Sequence, residues 1–157
     1  MRNIRLGLFT RFRGLALVGI VMGGLAVAVA AGNNGQKEHA RPLKVVVHFN
    51  FGDVARQGHG LKNIENILKE AESAGLVTEI EVVCHSDGII LLEKAKTAQA
   101  TPIEALQKKG VQFAACENTM RQRSIRPGDL LPGVTTVPSG AFEVVRRQQD
   151  GYSYFKP

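Results

Sequence analysis

Tryptophan is absent from the 157 residues, and there are two cysteines, two tyrosines and six prolines. Two cysteines exclude a disulfide-dense scaffold. Six scattered prolines, with no repeat or biased tract, exclude collagen-like and proline-rich chains. What remains, 44% hydrophobic and 22% charged, is an ordinary globular composition, and the length suits one domain with a proper core.

Several motifs are also missing. Gly52, Gly58 and Gly60 form neither GxGxxG nor GxxxxGK, so no phosphate-cradling loop is expected. Ser86 and Ser139 lie outside any GxSxG elbow, which removes support for serine-hydrolase chemistry. A one-sided basic footprint is lacking too. The net charge is +6, but Arg2, Arg5, Arg11 and Arg13 lie in an N-terminal stretch without acids, leaving 16 basic against 14 acidic residues. Arg121, Arg123 and Arg126 are a loose cluster, too little for phosphate binding. No nucleic-acid partner is expected.

The N-terminus carries a distinct pattern. Met1–Arg13 is positive, Gly14–Ala31 is an uncharged apolar run, and Ala28/Ala30 or Val29/Ala31 provide small residues for cleavage. Residues 1–31 therefore read as a signal peptide, with the mature chain starting near Ala31 or Gly32. Arg11-Phe12-Arg13 is not a twin-arginine pair, which points to the general secretory route and a periplasmic location. The alternative is an uncleaved anchor, at the lower edge of spanning length; membrane contact would then be through the leader alone. Residues 32–42 read as a flexible linker and 43–157 as the folded domain. In an oxidising compartment two cysteines usually pair, so a Cys84–Cys116 disulfide must be considered.

Leu43–Asn50 reads as a buried strand, Phe51–Gly60 as a loop holding Asp53 and His59, and Leu61–Ser73 as a helix with Leu61, Ile64, Leu68 and Ala71 on one face. Glu79–Cys84 is a second strand, followed by the turn His85–Gly88 and a short helix over Ile89–Lys96. Thr101, Pro102 and Glu104 suit a helix start, with Gly110 as its end. Val111–Ala115 is a third strand with Cys116 at its tip, and Glu117–Arg123 a helix. Val134–Val137 is a fourth strand, Ser139 caps a helix through Asp150, and Tyr152–Phe155 is an edge strand. Alternating strands and helices imply an α/β fold: an open, mostly parallel sheet of four to five strands with helices on both faces, a flavodoxin- or Rossmann-like three-layer arrangement.

Ligands bind such sheets at the carboxyl ends of the strands. Here those ends carry His48, Cys84-His85, Cys116 and Ser139. Cys116 precedes a helix, whose free N–H groups favour thiolate; the competing reading is a buried, inert thiol. Cys84 lacks a following helix and reads as a small core residue. If the first strand lay between the other two, the cysteines would be about 9–10 Å apart, beyond the roughly 7 Å that a disulfide spans. His48, His85, Cys84 and Cys116 show neither i, i+4 nor CxxC spacing, so no metal and no cofactor is expected. His59 is expected to be solvated.

The segments KVVVHFN, LKNIENIL, EVVCHSDGIILL, KGVQFAACENTM, LLPGVTTVPSG and RRQQDGYSYFKP together resemble the DsrE/DsrF-like sulfur-relay family along nearly the whole folded domain. The most specific element is Gly110–Thr119, supported by the pattern Gln148 to Tyr152. The resemblance implies a small α/β fold that assembles as a dimer, trimer or hexamer. It also implies a sulfur carrier or sulfurtransferase holding a persulfide on Cys116, where Asn118, Thr119 and nearby N–H groups would stabilise the sulfur anion. His48, Cys84 and His85 would line the substrate site, and the partner would be a sulfur donor or acceptor protein or a small sulfane-sulfur compound. Two alternatives stay open: a non-catalytic oligomeric binding module of the same fold, and a thiol-redox or metal-handling protein using Cys84 with Cys116.

Overall fold

The structure, a computed structural model, describes residues 41–157; the expected leader (1–31) and residues 32–40 of the expected linker lie outside the described residues. Five strands form one all-parallel sheet: β1 (Leu43–Phe49), β2 (Thr78–Cys84), β3 (Gln112–Cys116), β4 (Thr135–Val137) and β5 (Ser153–Phe155), in spatial order β4-β3-β2-β1-β5. Four helices alternate with them: α1 (Val54–Ser73), α2 (Ala100–Lys108), α3 (Glu117–Gln122) and α4 (Gly140–Gln149).

The strands march from β1 to β4 in one direction, and the chain then returns across the whole sheet to place β5 beside β1. Right-handed crossovers require that reversal to put its helix on the opposite face. α1 and α2 accordingly bury Leu61, Ile64, Ile103 and Leu106 against Val45, Val47, Phe49, Val82 and Phe113 on one face. α4 lays Val144 on Val46 and Val83 on the other. Arg147 of α4 reaches down to the buried Glu81 of β2 through two hydrogen bonds, 2.6 and 3.0 Å, a bidentate pair that fixes the helix on the sheet.

Three expectations are corrected. α1 begins at Val54, not Leu61, because Asp53 is its N-cap and accepts from the Arg56 N–H at 2.6 Å. His59 is therefore an exposed helical residue rather than a loop residue. The segment after β2 is a 3-10 turn over Ser86–Leu92 instead of a helix to Lys96. α2 begins at Ala100 with Gln99 as its N-cap and no side-chain cap, so Thr101 does not cap it. Ser139 does cap α4, accepting from the Phe142 N–H at 3.4 Å.

Candidate functional site

The pleat of β2 and β3 separates the two cysteines. Cys84 pairs in register with Ala115, and registered residues of parallel neighbours point to the same face. Cys84 and Ala115 both belong to the core under α1 and α2; Cys116, one residue on, points to the face of α4. β2 and β3 are direct neighbours, so β1 does not lie between them. What keeps the thiols apart is this opposite orientation, not strand spacing, and both are free. Burial pushes the Cys84 thiol far up, out of reach of ordinary titration.

Cys116 occupies the N-cap position of α3 and keeps 4% of its surface exposed. Burial works against its thiolate, but the N–H groups of Gly140, Thr119 and Asn118 and the Thr119 hydroxyl converge on the sulfur and hold its pKa below the ordinary thiol value. These contacts are looser than a regular cap hydrogen bond, yet together they outweigh desolvation. Gly140 matters through what it lacks: a Cβ there would come within 3.0 Å of the His85 Cβ and 3.1 Å of the Cys116 Cβ. Without one, the first turn of α4 rests directly against the sulfur-bearing strand end.

Thr119 is buried and its role is set by a neighbour. The Ser86 N–H donates to Thr119 Oγ1 at 3.0 Å, which fixes the hydroxyl beside the strand end that carries Cys116. Ser86 does this from a left-handed backbone, φ 50°, a conformation that carries strain in a non-glycine residue and concentrates at functional sites. Asn118 contributes its backbone N–H; its side-chain oxygen is occupied by Arg121.

His48 and His85 meet at the same strand ends, with the His85 Cβ and the Cys116 Cβ on either side of Gly140. Their Nε2 atoms are 2.6 Å apart and the rings stack at 4.7 Å. His48 Nδ1 pairs with the Tyr154 hydroxyl at 2.9 Å, and His85 Nδ1 with Ser86 Oγ at 3.0 Å. Burial, the neighbouring His85 and Lys156 lower the His48 pKa to about 4; burial and Lys156 lower that of His85. Among the described residues no three His, Cys, Asp or Glu side chains gather to hold a metal ion.

The structure thus brings Cys116, Thr119, His48, His85 and the backbone of Asn118 to one rim, and puts Cys84 on the other face. Sequence reasoning did not single out Gly140 or Tyr154 as site residues. Both arrive by the return of the chain across the sheet, and β4's Pro138-Ser139 end was the one local signal pointing to the start of α4.

A model of the DsrE/DsrF-like family matches residues 44–157. The solved structure of MTH1491, a protein of unknown function from Methanobacterium thermoautotrophicum, is similar at 34% identity with a TM-score of 0.67, covering 72% of this chain and 97% of that one. No curated protein matches.

Proposed function

The chain belongs to the DsrE/DsrF-like family, and from that premise we propose that it carries sulfane sulfur as a persulfide on Cys116, acting as a sulfurtransferase-like relay protein. The observation that carries this reading is the seat of Cys116: it is the N-cap residue of α3, and the start of α4 lies so close that a Cβ on Gly140 would come within 3.1 Å of the Cys116 Cβ, with neighbouring N–H groups holding the thiol below its ordinary pKa. A thiolate held there is both the nucleophile that takes up sulfur and the leaving group that releases it. With thiosulfate, the Cys116 thiolate attacks the outer sulfur and a new S–S bond forms. The bond to the sulfonate group breaks, and sulfite departs with the electron pair. Cys84 faces away from this reaction, which argues against a Cys84–Cys116 redox pair.

Intact mass after incubation with thiosulfate tests the proposal. A gain of about 32 Da per sulfur is expected, lost in Cys116→Ser and kept in Cys84→Ala. An unchanged mass would leave the inert binding module as the better reading, and a loss of about 2 Da would indicate a disulfide instead.

The proposal also puts the carrier in the periplasm, supported by the charge and apolar pattern of residues 1–31. Sequencing of the exported protein should then begin near Ala31 or Gly32; recovery of Met1 in the membrane fraction would overturn cleavage. Assembly into a dimer or larger ring belongs to the same reading, supported by the exposed Phe142 and Val145 on α4. A monomer mass by light scattering at tens of micromolar chain would overturn it.

A further inference from the structure

We propose that Tyr154, His48, His85 and Ser86 form a proton relay that receives the proton of an acceptor thiol as that thiol strips sulfur from Cys116. The inference rests on the sulfur-carrier reading and concerns its unloading half. The four side chains are linked in single file by contacts of 2.9, 2.6 and 3.0 Å. One end, Ser86, is exposed and joined through its N–H to Thr119 Oγ1 beside the reactive sulfur; the other, Tyr154, is 45% exposed on β5.

Each imidazole has one donor and one acceptor nitrogen when neutral, so the file can be polarised in either direction. In the starting arrangement Ser86 donates to His85 Nδ1, His85 Nε2–H donates to His48 Nε2, and His48 Nδ1–H donates to the Tyr154 oxygen. A thiol R–SH passes its proton to Ser86 Oγ. Each group then hands on its own proton, and Tyr154 releases one to solvent. The thiolate R–S⁻ attacks the outer sulfur of Cys116–S–SH. The S–S bond breaks, its electron pair returns to the Cys116 sulfur, and the products are R–S–SH, the Cys116 thiolate and one released proton. That thiolate is the form favoured by Gly140, Thr119 and Asn118.

Besides Tyr154 and the two histidines, Lys156 beyond β5 acts on both rings, and Gly140 of α4 lies between His85 and Cys116. Burial and Lys156 keep both imidazoles uncharged near neutral pH, which suits them to conduct a proton rather than store it.

The test uses full-length chain preloaded from thiosulfate and unloaded with 2-mercaptoethanol, following the loss of about 32 Da with time in H₂O and in D₂O. His48→Gln and His85→Gln are expected to slow unloading by about a hundredfold, the lower end of the range for general acid–base catalysis, and to abolish its solvent isotope effect. Ser86→Ala and Tyr154→Phe each remove one hydroxyl from an end of the file and should slow unloading in the same sense, which keeps the test intact if a histidine variant does not fold. Wild-type unloading rates and isotope effects in these variants would overturn the relay while leaving the carrier standing. A wild-type chain that takes up no sulfur would overturn both.

Discussion

Cys84 and Cys116 both end a strand of one sheet, yet the pleat gives them opposite chemistry. Cys84 has no exposed surface and its thiol is pushed up by burial; Cys116 meets converging donors that hold its thiol down. Iodoacetamide should therefore modify Cys116 with half-maximal rate at a pH below the reference of about 8.5 and leave Cys84 untouched in the folded chain. Modification of Cys84 at a comparable rate would contradict the assignment. Gly140→Ala probes the same balance. Its new methyl, about 3 Å from two neighbouring Cβ atoms, forces the start of α4 away by a few tenths of an ångström and weakens the Gly140 N–H contact with the sulfur. Alanine's better helix propensity offsets the crowding, so global stability should change by about 1 kcal/mol or less, while the alkylation midpoint of Cys116 moves up. An unchanged midpoint would mean that the Gly140 N–H does not stabilise the thiolate. At this scale the sequence was informative about Cys116, because a strand end followed by a helix is a local pattern. It was silent about Gly140, because nothing in PSGAF announces which strand end the glycine will meet.

α4 carries the site's geometry at one end and a buried bidentate ion pair near the other. Arg147 pairs with Glu81 and also donates to Glu143 at 2.9 Å, so the helix cannot slide without breaking that network. Arg147→Met would leave Glu81, 4% exposed, without its cation. Removing one partner of a buried pair typically destabilises by about 3–5 kcal/mol, and urea denaturation should show a loss of that order. Because the same helix holds Gly140 over Cys116, the alkylation midpoint should rise with it; stability lost without any change at Cys116 would show that the two ends of α4 are uncoupled. Helix boundaries were partly legible. Ser139 and Gly151 marked α4 correctly, the latter with φ 85°. The first two turns of α1 were missed because Gly58 and Gly60 imitate a loop. Gly60 is there for packing: a Cβ would lie 2.6 Å from the Phe49 ring, so the helix can approach β1 only through a residue without one.

At the scale of the whole molecule, the return of the chain to β5 assembles the rim. Tyr154 is 106 positions from His48 in sequence, and no local pattern specifies that pairing; parallel alternation was readable, but the strand order that seats β5 beside β1 was not. The same long-range packing makes the folded state hold His48 neutral, with consequences for stability. In the unfolded chain His48 titrates near 6.5, and in the folded chain burial, His85 and Lys156 bring it to about 4. Between those values the unfolded chain binds a proton that the folded chain refuses, so stability is highest above pH 6.5 and declines as the pH falls toward 4. His85, lowered for similar reasons, acts in the same sense. Both rings are partly solvated, so screening reduces the effect to roughly 1–2 kcal/mol across this window. Glu81 works the other way: burial raises its carboxyl against the pull of Arg147, so on acidification the folded chain takes up that proton first. Comparing wild type with His48→Gln separates the two. The urea midpoint of wild type should fall between pH 7 and pH 5 more steeply than that of the variant, whose glutamine has no proton to refuse. Parallel pH dependences would mean that the packing of the histidine pair against β5 does not hold His48 neutral.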